Sequence, residues 1–467
     1  MSSLAPLMGR LSQVFSARMC LFACTILICI GSVVTSTSST FAMFMVGRVI
    51  TGSGAAGVLV VAAILVIQMA SPKQRGVYLG LVNSGMTVGV SLGAVIAGAL
   101  EPIIGWKPIF GMQAPLAILA GIGLLLGIPA NYGTNNEYTT HSLREKLARI
   151  DYSGCVLLIA TIVLFLLGLS GPRVLPTPLV LSFVCLPLFV LNETRIAYDP
   201  VIPMTVLRSR GTLLTCFATV GFMMARWCVL FYAPVYSLAV RGWPPAAAGS
   251  ILIPTNAGFA SGGILAGYFH IRRHGSFYAH SLISMALFPI TLLILAFIST
   301  ARTPSWVYIT AVFFNGLLTG AALNYVLVHS LHLTLPDVHP IVLSLVATFR
   351  GFAGSFGSAI GGGLFARVLH KSLVTGFEDA GLGDNRDLIR QLLGSPRDVY
   401  RLEGEKKAIA ISSYEDALKA LFLAGMGLSI LVVAIQAGTG WKEPSKSSHE
   451  RIAEDEVEGE ESLVAGS

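Results

Sequence analysis

Charge is what this chain has least of. Asp, Glu, Lys and Arg make up 12% of its 467 residues, about half the roughly 25% of a soluble domain. No Asp or Glu falls in the middle of a long apolar run: Glu101, Asp151 and Glu193 all stand near run ends. Paired carboxylates inside a membrane are therefore excluded, and with them the simplest intramembrane acid–base chemistry. No G-x-x-x-x-G-K-[ST] string occurs, which argues against a P-loop and an ATP-driven pump. H-E-x-x-H and G-x-S-x-G are also missing, so the chain is not expected to be an enzyme. The basic residues give a formal charge of +7 but are scattered over short segments, so no nucleic-acid partner is expected. Seven cysteines, at positions 20, 24, 29, 155, 185, 216 and 228, lie inside apolar segments. Neither a disulfide framework, a metal site nor a cofactor follows from them. The first seventeen residues hold no apolar leader core.

What is present is apolar length. Hydrophobic residues supply 54% of the chain, and about twelve runs are long enough to cross a bilayer of roughly 30 Å. They fall near 19–38, 42–70, 75–100, 107–128, 151–171, 176–196, 212–238, 247–269, 278–299, 306–330, 341–369 and 415–437. The chain reads as an all-α integral membrane protein with the lipid bilayer as its surroundings. Alternate connections hold Arg10 and Arg18, Lys73 and Arg75, Arg144, Lys146 and Arg149, Arg195, Arg208 and Arg210, Arg272 and Arg273, and Lys442, Lys446 and Arg451. The positive-inside rule then puts both termini in the cytosol. Only the connection around His332–His339 breaks the pattern, having no Lys or Arg. Residues 370–414 read as a polar non-cytosolic loop with a short helix at 387–393, and 438–467 as a disordered cytosolic tail ending in acidic residues. The sequon at Asn192 falls at a cytosolic helix end, where it goes unused.

Polar residues inside such runs are costly and mark function. Arg48 stands within Phe41–Ala70, and a guanidinium keeps its charge in proteins. It lines a wet path, or it is a structural arginine bonded to backbone carbonyls. Arg226 and Arg350 pose the same alternatives of cavity role or structural pairing, and Arg350 is placed to draw an anionic group. Asn83, Gln113, Asn256 and Asn324, with Gln68 and Asn315, are cavity candidates or glue between helices. Phe231, Tyr232 and Tyr236 either pack on a flat solute or belong to core and lipid faces. His329 and His332 are read as surface residues. Glycines at four-residue spacing let helices approach closely: Gly85, Gly89 and Gly93, then Gly258 and Gly262, Gly263 and Gly267, and Gly357 and Gly361.

Several strings together resemble the major facilitator superfamily, and within it the fungal fourteen-span drug:proton antiporters. Residues 9–18, Gly9-Arg10-Leu11-Ser12-Gln13-Val14-Phe15-Ser16-Ala17-Arg18, look like that family's loop between its second and third helices. Arg48 with Gly52-Ser53-Gly54-Ala55-Ala56 resembles its fourth-helix motif, where the arginine is linked to proton coupling. Gly85 to Ala94 resembles its fifth-helix antiporter motif. Trp106-Lys107 with Phe110 and Gln113-Ala114-Pro115 is similar to a string of fungal vacuolar basic amino acid transporters; Asp151-Tyr152-Ser153-Gly154, Pro200–Met204 and Phe349-Arg350-Gly351 fit the same group. Gln13 stands where the loop motif has Asp, and Val90 and Ala94 replace a Pro and a Gly of the antiporter motif.

The resemblance implies a fold of two helical halves. With the loop motif at residue 9, the first two helices of the family's fourteen lie outside this sequence, and twelve are present. Residues 1–128 would form an incomplete N-terminal half of four spans, 129–211 a linker with two extra spans, and 212–437 a C-terminal half of six. It further implies a monomeric secondary transporter in the vacuolar or plasma membrane, exchanging protons for drugs, metabolites or basic amino acids. Without a deep carboxylate the cargo reads as neutral or apolar, and either the protein is longer than this sequence or its proton coupling is impaired. The alternative is a non-transporting relative that acts as a sensor or partner-binding membrane protein.

Overall fold

The computed structural model describes residues 4–69, 75–129, 151–171, 173–197, 209–270, 277–334, 339–382 and 386–441. The expected connections at 130–150 and 335–338 lie outside them, as does the expected 438–467 tail from residue 442 on; its first residues, 438–441, are ordered against the bundle, with Thr439 buried. The described chain is helical throughout: α1 (Ala5–Val14), α2 (Ala17–Ser36), α3 (Phe41–Met69), α4 (Arg75–Ile104), α5 (Trp106–Gly111), α6 (Gln113–Gly127), α7 (Tyr152–Ser170), α8 (Pro176–Leu191), α9 (Arg210–Ala239), α10 (Pro245–Ser250), α11 (Leu252–Ile264), α12 (Tyr278–Ile298), α13 (Ser305–His332), α14 (His339–Asp379), α15 (Arg386–Gly394) and α16 (Gly404–Ala437). Among the described residues, eleven helices are long and apolar enough to cross a membrane.

The twelfth expected run, 247–269, is interrupted. Pro254 has no N–H for the carbonyl four residues back, and its ring crowds that turn. The helix breaks there, between Ser250 and Leu252, and ends as a π-turn over Leu265–His270. Pro115 acts in the same way on Gly111 and divides the run 107–128 into α5 and α6. Residues 5–14, which precede and overlap the expected loop motif, form α1, packed on α3.

The polar loop expected at 370–414 is mostly helix. α14 continues to Asp379 and α16 starts at Gly404. Leu369, Leu373 and Phe377 recur every fourth residue and are buried against the stripe of Ala410, Tyr414, Leu418 and Leu421. Ser372 donates to Asp416 at 2.9 Å on the outside of this pair. Two amphipathic helices thus run past the apolar zone, and α15 with a 3-10 turn at Pro396–Arg401 closes over them. The Tyr414 hydroxyl donates to the Leu392 carbonyl at 2.5 Å, and that of Tyr400 to Val240 at 3.2 Å. Gly242 has φ +63°, and the Tyr400 ring occupies the place a Cβ would need, so this turn admits no larger residue.

One large core spans α9, α11–α14 and α16. Helices α2 and α3 cross closely, because Gly31 and Gly47 lie opposite Thr51 and Thr35. Each threonine bonds back to its own helix's glycine carbonyl, at 2.9 and 2.7 Å. The α7–α8 pair is tied at one end by Asp151, Ser153 and Asn192. Asp151 caps the Gly154 amide at 2.8 Å and accepts from the Asn192 side chain at 2.7 Å. Asn192 is buried in this knot, which leaves its amide engaged rather than free for a glycan. At the other end Arg367 of α14 donates to the Leu169 and Gly171 carbonyls at 3.3 and 3.1 Å, a cation on the carbonyl end of α7. This pair therefore docks on α14.

Candidate functional site

At the centre of the C-terminal bundle sits Arg226, 2% exposed. Residues of α9 on its side of the helix face α11 and α13, and the guanidinium donates to Asn315 Oδ1 at 3.0 Å and to the Thr255 carbonyl at 3.1 Å. A longer contact of 3.4 Å reaches Asn256 Oδ1. The network continues outward on both sides. Asn315 donates to the Thr291 hydroxyl on α12 at 2.9 Å. Asn256 donates to the Ser91 hydroxyl on α4 at 2.7 Å. Five helices, α4, α9, α11, α12 and α13, are joined through one cation whose hydrogen-bond partners are all neutral oxygens. Burying such a charge costs several kcal/mol, and carbonyl dipoles offset part of it without cancelling its field.

The network includes the seam between α4 and the C-terminal bundle. Thr87, Ser91, Ala94, Gly98 and Glu101 fall at helical spacing on one face of α4. Gly98 leaves room for the Pro245 carbonyl, and Gly249 for that of Ala94. Glu101 meets Arg397 of the 3-10 turn at 3.6 Å. Gly85, Gly89 and Gly93, expected at a helix contact, lie on the opposite face, where a Cβ would meet no heavy atom within 4 Å. Spacing identifies a stripe but not its side, and the close approach belongs to Gly98. The tightest crossing is that of α11 and α13, where a Cβ on Gly258, Gly262, Gly316 or Gly320 would strike a backbone carbonyl of the other helix. Gly54 meets the Cys24 carbonyl across α2, and Gly9 packs against Val60; Gly52 is half-buried on α3.

The other candidates are dispersed. Arg48 is exposed on α3, its guanidinium 5.1 Å from the centre of the Phe110 ring. Gln113 is half-buried at the start of α6. Asn324 bonds back to the Gly320 carbonyl at 3.0 Å beside the α11–α13 crossing. The side chains of Asn83 and Gln68 lie outside the described residues. Arg350 is half-buried on α14. Tyr236 does not face a cavity: it is buried, stacked on Tyr308 at 4.0 Å, with its hydroxyl on the Thr300 carbonyl at 3.0 Å. His329 is not a surface residue either. The end of α16 folds over it, and its Nε2 lies 3.2 Å from the Thr439 hydroxyl. Phe231 remains 45% exposed and stacks on Trp227 at 5.5 Å.

Arg226 and Asn256 were separately conspicuous in the sequence. Their meeting, and the parts of Ser91, Thr255 and Thr291, were not, because a hydroxyl in an apolar helix reads as bonded to its own turn.

The family model described as Major Facilitator Superfamily matches residues 1–358. The chain is 25% identical to "MFS transporter L2" of Phoma sp., over 94% of this chain and 76% of that protein. It is equally 25% identical to "MFS-type efflux pump LUC4" of Fusarium sp., over 91% and 76%. Across the first curated relatives it matches, the chain spans between 43% and 76% of their length. Among solved structures, the bacterial homologue of the human lysosomal transporter Spinster, inward-facing and unoccupied, superposes with a TM-score of 0.58 at 14% identity, covering 93% of this chain and 85% of that one.

Proposed function

The chain belongs to the major facilitator superfamily, and from that premise we propose that it is a secondary transporter moving small molecules outward from the cytosol. The family match over residues 1–358 carries this reading, and the apolar helices supply the membrane frame. Within the family we assign it to the fungal drug:proton antiporters, on the strings at residues 9–18, 48–56 and 85–94. Protons are the coupling ion and Arg48 tunes their path. Drugs and metabolites suit the bundle better than basic amino acids, since Arg226 has no carboxylate partner and a cationic solute would meet a like charge. Loop charge puts both termini in the cytosol, in a vacuolar or plasma membrane.

The test is solute movement in sealed proteoliposomes under an imposed pH gradient. The panel is a cationic, a neutral and an anionic dye together with radiolabelled lysine. Gradient-dependent accumulation of at least one solute above protein-free liposomes is expected. Equal accumulation with and without protein, for every solute, contradicts the reading.

A further inference from the structure

We propose that the seam between α9 and α14 is a binding site for planar aromatic anions, compounds bearing a carboxylate or phenolate on a ring system. This rests on the transporter reading and deepens it. Arg350 provides the charge. It is half-buried within the membrane part of α14, and no described residue gives it a hydrogen bond or an ion pair. One turn further along, a Cβ on Gly354 would stand 3.3 Å from the Trp227 indole, so the cation and the indole share one seam. Trp227 stacks on Phe231 with ring planes 28° apart, and Phe231 stays open. Nothing lies within 4 Å of the place a Cβ on Gly351 would take, so α14 is uncovered on the flank of the seam next to Arg350.

These parts match one chemistry. A guanidinium fork takes a carboxylate with two parallel hydrogen bonds. The Trp227–Phe231 pair, one to two turns further along the same seam, offers a flat apolar surface to the ring that carries the acid. A few polar groups on an otherwise apolar wall is the usual make-up of a small-molecule site. A cation of the same shape would be repelled by Arg350.

Fluorescein and rhodamine 6G share one planar skeleton and carry opposite charge, so the full chain in proteoliposomes is offered each in turn. Fluorescein uptake at least about tenfold above that of rhodamine 6G is expected. Arg350→Gln should lower it about tenfold, Arg350→Lys should restore part, and Gly351→Leu should block it without changing the melting temperature. The last variant keeps the test open should Arg350→Gln fail to fold. Undiminished fluorescein uptake in both Arg350→Gln and Gly351→Leu overturns the site. Transport of rhodamine 6G without fluorescein, or of neither while another solute of the panel moves, overturns the anion preference and leaves the transporter reading standing. Movement of no solute at all overturns both.

Discussion

Arg226 and Arg48 are both arginines inside apolar helices, and their surroundings are opposite. Around Arg226 the helices are packed: 61% of the most apolar stretch of α9 is buried, and the guanidinium reaches three oxygens. Around Arg48 the structure is open. On its own helix, α3, 35% of the corresponding stretch is buried, against 6% on the neighbouring α4 and 11% on α5–α6, and the guanidinium has an aromatic ring for company. Identical side chains in two apolar helices therefore carry different burdens. Arg226 is held by the fold and holds it in turn; Arg48 is held by little and is free to act on something else.

The comparison breaks most visibly at Arg226. Arg226→Ala leaves the oxygens of Asn315, Thr255 and Asn256 without their donor and opens a cavity, a loss of about 3–5 kcal/mol. A large fall in melting temperature in lipid nanodiscs is expected; a fall of a degree or two would mean that the network carries no load. Gly262→Ala comes next. Its Cβ collides with the Leu317 carbonyl, and forcing α11 from α13 should cost roughly 1–3 kcal/mol. Gly89→Ala is its counterpart on the open side: with nothing within 4 Å, it should be neutral or stabilising by up to about 1 kcal/mol. Equal melting temperatures for the two variants would contradict the difference in packing.

Smaller effects lie at the seam and the cap. Glu101→Gln removes a half-exposed ion pair to Arg397, worth about 0–1 kcal/mol, and should be invisible in melting, while in a separate variant carrying Glu101→Cys and Arg397→Cys the two thiols should still crosslink. The Asp398 carboxyl is held below its ordinary range, first by the Gln391 amide, then by Ser395, Arg401 and Arg397. A depressed carboxylate stabilises above the unfolded value near 3.9, and the contribution is lost as pH falls through the folded value. Hydrogen exchange in residues 386–401 should therefore speed up on acidification below about pH 4 in the native chain. In Asp398→Asn that step should be missing.

Much of the fold was legible in apolar length alone, because a run of twenty such residues has few other uses. Two features escaped that reading. The breaks before Pro115 and Pro254 are backbone effects that a hydropathy average does not register. The continuation of α14 and α16 past the membrane rests on a one-sided pattern, Leu369-Leu373-Phe377, diluted by Lys371, Ser372 and Thr375. The site was legible only in pieces. Arg226, Asn256 and Arg350 stood out by their cost in an apolar helix. The bonds between Arg226 and Asn256, or the approach of Gly354 to Trp227, depend on how distant helices cross, which no local pattern encodes.

The most direct test concerns the open arginine. Sealed proteoliposomes holding the native chain or Arg48→Ala are compared for solute flux under one pH gradient, with melting temperature recorded on the same samples. The account predicts that Arg48→Ala loses gradient-driven flux while melting within a degree or two of the native chain. Unchanged flux in Arg48→Ala would contradict it.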